Sequence, residues 1–171
     1  DYLPLDVPGF AGRTDCPDVV RTTCAARRTW SICRQSGLSP EQLDTPYRPG
    51  GWTVRQVVHH LPDSHVNAYV RLKLALTEDE PTIKPYEEAR WAELVDGRTA
   101  PPEVSLTLLE SVHTRWAMVW RSMTADHFSR RFRHPDHPDL LTLDWMLGMY
   151  AWHGRHHVAH ITSLREREGW R

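Results

Sequence analysis

Residues 150–161 read YAWHGRHHVAHI, four histidines in eight positions. Imidazole is the side chain that titrates near neutral pH and the commonest protein metal ligand. At about 100° per residue on a helix, His153, His156, His157 and His160 fall within an arc of roughly 100°. Met146, Met149, Tyr150, Ile161 and Leu164 project from the same arc, so the imidazoles are expected to face the interior rather than water. Burying unpartnered rings costs on the order of 1–3 kcal/mol each, and neighbouring protonated rings repel one another. A shared cation satisfies them together; the bland alternative is a row of core histidines bonded to backbone or tyrosine. Two imidazoles at i and i+4 sit one turn apart, so His156 with His160 or His153 with His157 can grip one ion. The spacing does not choose between the pairs. A zincin-type protease needs a glutamate directly after the first histidine of HxxxH, and His157 stands there, which excludes that mechanism.

A third ligand is available in VVHHLPDSHVNAY (57–69), which offers His59, His60 and His65, with Asp63 as a further ligand or hydrogen-bond acceptor. The apolar phase of Val54, Val58, Leu61 and Leu72 turns His65 inward, sets His60 at the edge of the stripe and points His59 away. Pro62 lies between them and is able to reset that phase.

These side chains need long helices to hold them. Thr53 followed by Gln56 is a capping-box pattern that starts a helix running to about Thr77, with a kink or break expected at Pro62 near His59 and His60. Ahead of it, 43–52 (LDTPYRPGGW) is a loop whose Tyr47, Arg48 and Trp52 are candidates either to line a pocket or simply to pack. Residues 79–102, with Pro81, Pro85, Gly97, Pro101 and Pro102, form a long crossover with a short helical turn around Glu87–Leu94. A third helix spans about Glu103–Met123, where Val104, Leu108, Val112, Trp116 and Val119 give the spacing of one buried face. A second turn-rich loop (131–140) precedes the last helix, Thr142 to about Arg167, with Gly169 beyond it. Asp18 to about Arg34 adds another helix, and residues 1–16 read as an extended arm. Four long helices and no convincing strand predict an all-α four-helix bundle with long crossover loops, in a single domain over 1–171.

Composition narrows the function. Hydrophobic residues at 40% and charged residues at 25% are ordinary for a globular domain. A formal net charge of -1 and the lack of a Lys/Arg block argue against nucleic acid. Neither a signal-peptide pattern nor a run of about eighteen apolar residues is present, so a cytoplasmic protein without membrane contact is expected. Cys16, Cys24 and Cys33 are an odd number without CxxC spacing, read as reduced thiols.

DTPYRPGGWTVRQVVHH (44–60), PYEEARWAEL (85–94) and WHGRHHVAHI (152–161) together resemble the YfiT branch of the DinB family, over roughly residues 40–170. The resemblance implies a four-helix bundle holding one divalent metal ion per chain with three histidines, placed at His60, His156 and His160 here, and it overrules the periodicity vote for His65. It also implies a small-molecule substrate and a homodimer. Members of the branch are described as candidate metal-dependent hydrolases, and close relatives as transferases that use bacillithiol, a low-molecular-weight thiol. Three neutral imidazoles leave coordination positions open, the mark of a catalytic rather than a structural site. Zinc or nickel suits such ligands, and the open positions admit water or a thiol, either of which a divalent ion acidifies towards neutral pH. The chemistry expected is therefore transfer of a thiol to an electrophile, or hydrolysis. No side chain stands out as a general base, and a metal carrier without turnover is the alternative from another class.

Overall fold

The computed structural model describes residues 38–170. The expected arm over 1–16, the helix at 18–34 and the three cysteines lie outside these residues.

A short helix α1 (Pro40–Leu43) leads into the 43–52 loop. That loop folds back on itself through Tyr47 N–H to Trp52 O at 3.0 Å and Gly51 N–H to Arg48 O at 2.9 Å. Gly50 sits at φ 69°, the left-handed region that glycine enters without Cβ strain. Helix α2 (Val54–Thr77) begins at the capping box: the Gln56 amide donates to Thr53 Oγ1 at 3.2 Å and the Thr53 amide to Gln56 Oε1 at 3.0 Å. Gln56 Nε2 reaches on to Ala92 O, tying the helix start to the crossover.

Of the kink or break expected at Pro62, the break does not occur: α2 runs through Pro62 without interruption. Proline removes one hydrogen bond to the turn before it. The apolar residues on either side, Val57, Val58, Leu61, Ala68 and Leu72, are all buried, and their packing outweighs that loss.

The crossover carries two short helices, α3 (Glu88–Trp91) and α4 (Val95–Thr99), where one turn was expected. Helix α5 (Pro102–Ser122) buries Leu106, Leu109, His113, Trp116, Ala117 and Trp120. This corrects the sequence reading, because Val104 is 62% and Leu108 44% exposed. The buried stripe includes Ser105 and His113, polar residues that a hydropathy phase counts against it. Helix α6 (Ala125–Phe128) is followed by β1 (Arg131–Phe132) and β2 (Leu141–Thr142), a two-residue antiparallel pair, where no strand was expected. The pair closes the 133–140 loop. Helix α7 (Leu143–Glu168) follows, capped by Thr142 Oγ1 on the Trp145 amide and ended by Gly169 at φ 65°.

Two large apolar clusters, with the buried pair Leu61 and Leu109 as a third and smaller one, set the packing. One joins Ala68, Leu72 and Ala75 of α2 with Trp116 and Trp120 of α5 and Leu143, Met146 and Tyr150 of α7. The other joins Val54, Val57 and Val58 with Leu106, Ile161 and Leu164. The late part of α2 thus meets the late part of α5 and the early part of α7. Helices α2 and α5 run parallel, which is why a long crossover joins them, and α7 runs antiparallel to both. Between the clusters lies a belt of buried polar rings, His59, His60, His65, His113 and His157.

Candidate metal centre

Antiparallel packing of α2 on α7 sets His60 opposite the last-helix histidines. His153 Nε2 lies 3.3 Å from His60 Nε2 and 3.1 Å from His157 Nε2. Among the described residues these three rings form the group able to hold an ion, with ligand atoms all within 4.8 Å of one another. His60 and His157 are buried and His153 is partly exposed.

The donor set fits a divalent cation. Metal–nitrogen bonds of about 2.0–2.1 Å at tetrahedral angles put ligand nitrogens roughly 3.3 Å apart, close to the two spacings that His153 makes with His60 and His157. One lone pair on His153 Nε2 cannot accept in-plane hydrogen bonds from two neighbours, so a shared cation answers the cluster better than protons do. Burial pushes His60 down to about 4. Burial, and then the neighbouring rings, hold His153 and His157 far below the ordinary range, so all three are neutral and ready to ligate at pH 7.

The structure brings His60 to His153 and His157, and it does not bring His156 and His160 to that point. Those two rings pack against each other at 4.3 Å between centroids, His160 stacked on Tyr47 at 4.1 Å and His156 on Trp152 at 4.5 Å. The two pairs are offset by three residues, which is about 60° of rotation around the helix. In the fold Tyr150, His157 and Leu164, seven apart, are buried, whereas His156 and His160 are not among the buried residues of α7; spacing alone left both pairs open because all four rings share one arc of the helix.

The other α2 candidates have settled roles. His59, expected to point away, is buried: its Nε2–H donates to Ala100 O at 3.0 Å, and its Nδ1 accepts from Ser105 Oγ at 2.7 Å. His65 points inward as its phase implied, at 1% exposure, and lies behind His153 rather than among the three. Asp63 is outside the group, and burial together with Asp96 pushes its carboxyl up to about 6. His113 on α5, which touches His65, carried no sequence signal beyond being a histidine.

Two cavities meet at the cluster. One, of about 340 Å³, is bordered by His60, His153 and His157 and extends past Ser64, Tyr86 and Tyr150 to Arg71. The second, of about 600 Å³, reaches the cluster at His157 and is lined by Tyr47, Arg48, Trp52, His156, His157 and His160. Trp52, His156 and His157 border both. The 43–52 loop therefore does line a pocket, with Trp52 also resting on His60 at 4.8 Å.

Comparisons with known proteins agree with this architecture. Residues 25–161 match the family model described as the DinB superfamily. YfiT of Bacillus subtilis, named as a candidate metal-dependent hydrolase, is 56% identical over 133 residues, 78% of this chain and 75% of that protein. A relative from Oceanobacillus iheyensis with the same description is 55% identical over 78% of this chain and 76% of its own. The solved structure of Bacillus subtilis YfiT, reported as having an unusual four-helix bundle topology, superimposes with a TM-score of 0.89 at 45% identity, covering 100% of this chain and 95% of that one. TT2238, a four-helix bundle protein, gives a TM-score of 0.59 at 18% identity over 88% of this chain and 99% of its own, and shows likeness of fold alone. The fold is the expected mostly helical four-helix bundle, like that of YfiT.

Proposed function

This chain belongs to the DinB superfamily, and from that premise we propose that it is a metal-dependent enzyme of the YfiT type, holding one divalent ion, zinc or nickel, on His60, His153 and His157. The convergence of three Nε2 atoms at the meeting point of two cavities carries the reading. Bound there, the ion would acidify a nucleophile brought to its remaining positions. Three protein ligands beside open space favour turnover over the metal-carrier alternative, which calls for a saturated site.

The two cavities support a reaction with two substrates, in which a low-molecular-weight thiol such as bacillithiol attacks an electrophile. The sulfur–carbon bond forms, the bond to the leaving group breaks, and the thiol's proton leaves with the departing group. Tyr47, Arg48 and Trp52 border the larger cavity, and Ser64, Tyr86 and Tyr150 the smaller, where they can orient the two reactants. Hydrolysis needs only one of these cavities and is the second reading. We take the protein as a cytoplasmic homodimer, which light scattering on the purified protein tests.

Metal content by mass spectrometry tests the site. Wild type, His156→Ala and His160→Ala are expected to retain about one ion per chain, and His60→Ala, His153→Ala and His157→Ala to lose it. Loss in the first two substitutions with retention in the last two would instead support the ligand set that the sequence resemblance implied. Loaded enzyme is then offered bacillithiol with a bimane electrophile, and separately a nitrophenyl ester. Thiol-dependent turnover without ester cleavage is expected, and the reverse result selects hydrolysis.

A further inference from the structure

Behind the three candidate ligands lies a second row of rings that the proposed reaction does not itself use. His153 Nδ1 lies 3.2 Å from His65 Nε2, and His65 Nδ1 lies 2.5 Å from His113 Nε2. His65 and His113 are 1% and 3% exposed. Their rings are within 19° of parallel, with centroids 4.7 Å apart, so they meet nearly edge to edge as an in-plane N–H···N bond requires. Trp116 stands edge-on to both, and Tyr150 edge-on to His65.

We propose that His65 and His113 are positioning residues which fix the tautomer and ring direction of His153 through one oriented chain of hydrogen bonds. The inference rests on the metal reading above, and the reasoning is a count of protons. If His153 Nε2 binds the ion, its Nδ1 must carry the hydrogen of the neutral ring. That Nδ1–H donates to His65 Nε2, which must then be bare. His65 carries its own hydrogen on Nδ1 and donates it to His113 Nε2, which is bare in turn. Each donor has one acceptor along the path from α7 through α2 to α5, and any other choice of tautomers places two hydrogens or two lone pairs face to face.

The chemical consequence follows from what is not in the row. A ligating histidine is most often held by a carboxylate, a carbonyl or water, and a carboxylate raises the ligand's basicity. Here the acceptor is a neutral imidazole walled in by aromatic rings. His153 is oriented without a negative charge being brought near the ion, whose pull on a bound nucleophile is left undiminished. The three helices are also tied at one depth, so His153 cannot rotate away without breaking the chain.

The test is zinc affinity, measured by competition with a chromophoric chelator, for wild type, His65→Leu, His65→Gln, His113→Leu and His113→Gln. Gln offers an amide oxygen to accept and an N–H to donate, and Leu offers neither. Both Leu variants are expected to bind zinc roughly 10–100-fold more weakly, the usual effect of losing an outer partner, with recovery in the Gln variants. Nitrogen NMR of the imidazole rings in zinc-loaded wild type is expected to show the hydrogen on Nδ1 of His153, His65 and His113. Zinc binding by the Leu variants as tight as wild type, or a hydrogen on His65 Nε2, overturns this proposal and leaves the ligand set standing. Failure of wild type to bind zinc overturns the ligand set and this proposal together. Should a Leu variant not fold, the tautomers in wild type decide by themselves.

Discussion

At the scale of single residues, the site is defined by rings that burial keeps uncharged. Unfolded histidines titrate near 6.5, whereas in the fold burial pushes His60 and His113 to about 4 and holds His65 and His153 well below the ordinary range. Between pH 6.5 and 4 the unfolded chain therefore binds protons that the folded chain refuses, and stability must fall as pH drops through that window. Asp63, raised to about 6, takes up a proton first in the folded state and works the other way. One carboxyl is outnumbered by several rings, so the histidines decide the sign. The unfolding free energy of the metal-free protein, from urea titrations, should fall steeply from pH 6.5 to 4, by about 3 kcal/mol each for His60 and His113; a flat profile would show that the rings are not desolvated as described. His59 gives a contrasting case. His59→Ala removes the hydrogen-bond partner of buried Ser105 Oγ, while Ala100 O keeps its donor Arg55 Nη1 at 3.2 Å, and should cost about 1–3 kcal/mol by denaturant unfolding, with metal content unchanged.

At the scale of elements, α2 has a strong start and a flawed middle. Thr53→Ala removes the hydroxyl that accepts from the Gln56 amide and should lower stability by about 1 kcal/mol in thermal unfolding. Pro62 lacks the N–H that would close the turn behind it, and an interior proline costs about 3 kcal/mol relative to alanine. Part of that is offset by the apolar area the buried ring covers. Pro62→Ala is therefore expected to raise stability by about 1–2 kcal/mol and to leave metal binding intact, since the helix already continues through this position. A loss of metal in that variant would mean that proline sets the direction of His60.

At the scale of the whole molecule, the ion is a clamp between α2 and α7, placed where the two apolar clusters leave a polar gap. A ligand that binds only the folded state stabilises it by mass action, about 2.7 kcal/mol at a free concentration one hundred times its Kd. Chelation should lower the midpoint of wild type in calorimetry, and His153→Ala should unfold at one temperature with or without chelator. Equal midpoints for wild type in both conditions would remove the clamp. No described helix is long and apolar enough to cross a membrane.

The sequence by itself determined the three long helices that are described, the capping box of α2, the long crossover, and a face of α7 rich in imidazoles, because each follows from local periodicity and turn chemistry. Resemblance added His60 and the family. What only the tertiary structure decided is which of two adjacent histidine pairs meets His60, which face of α5 is buried, whether α2 survives Pro62, and that His113 stands behind His65. Periodicity fixes the angle of a side chain about its own helix axis to no better than about one residue, roughly 100°. His156 and His157 differ by that one residue, and only the position of the neighbouring helix breaks the tie. On α5 the buried stripe carries Ser105 and His113, whose polarity made the inner face read as an outer one until their partners on α2 were in place.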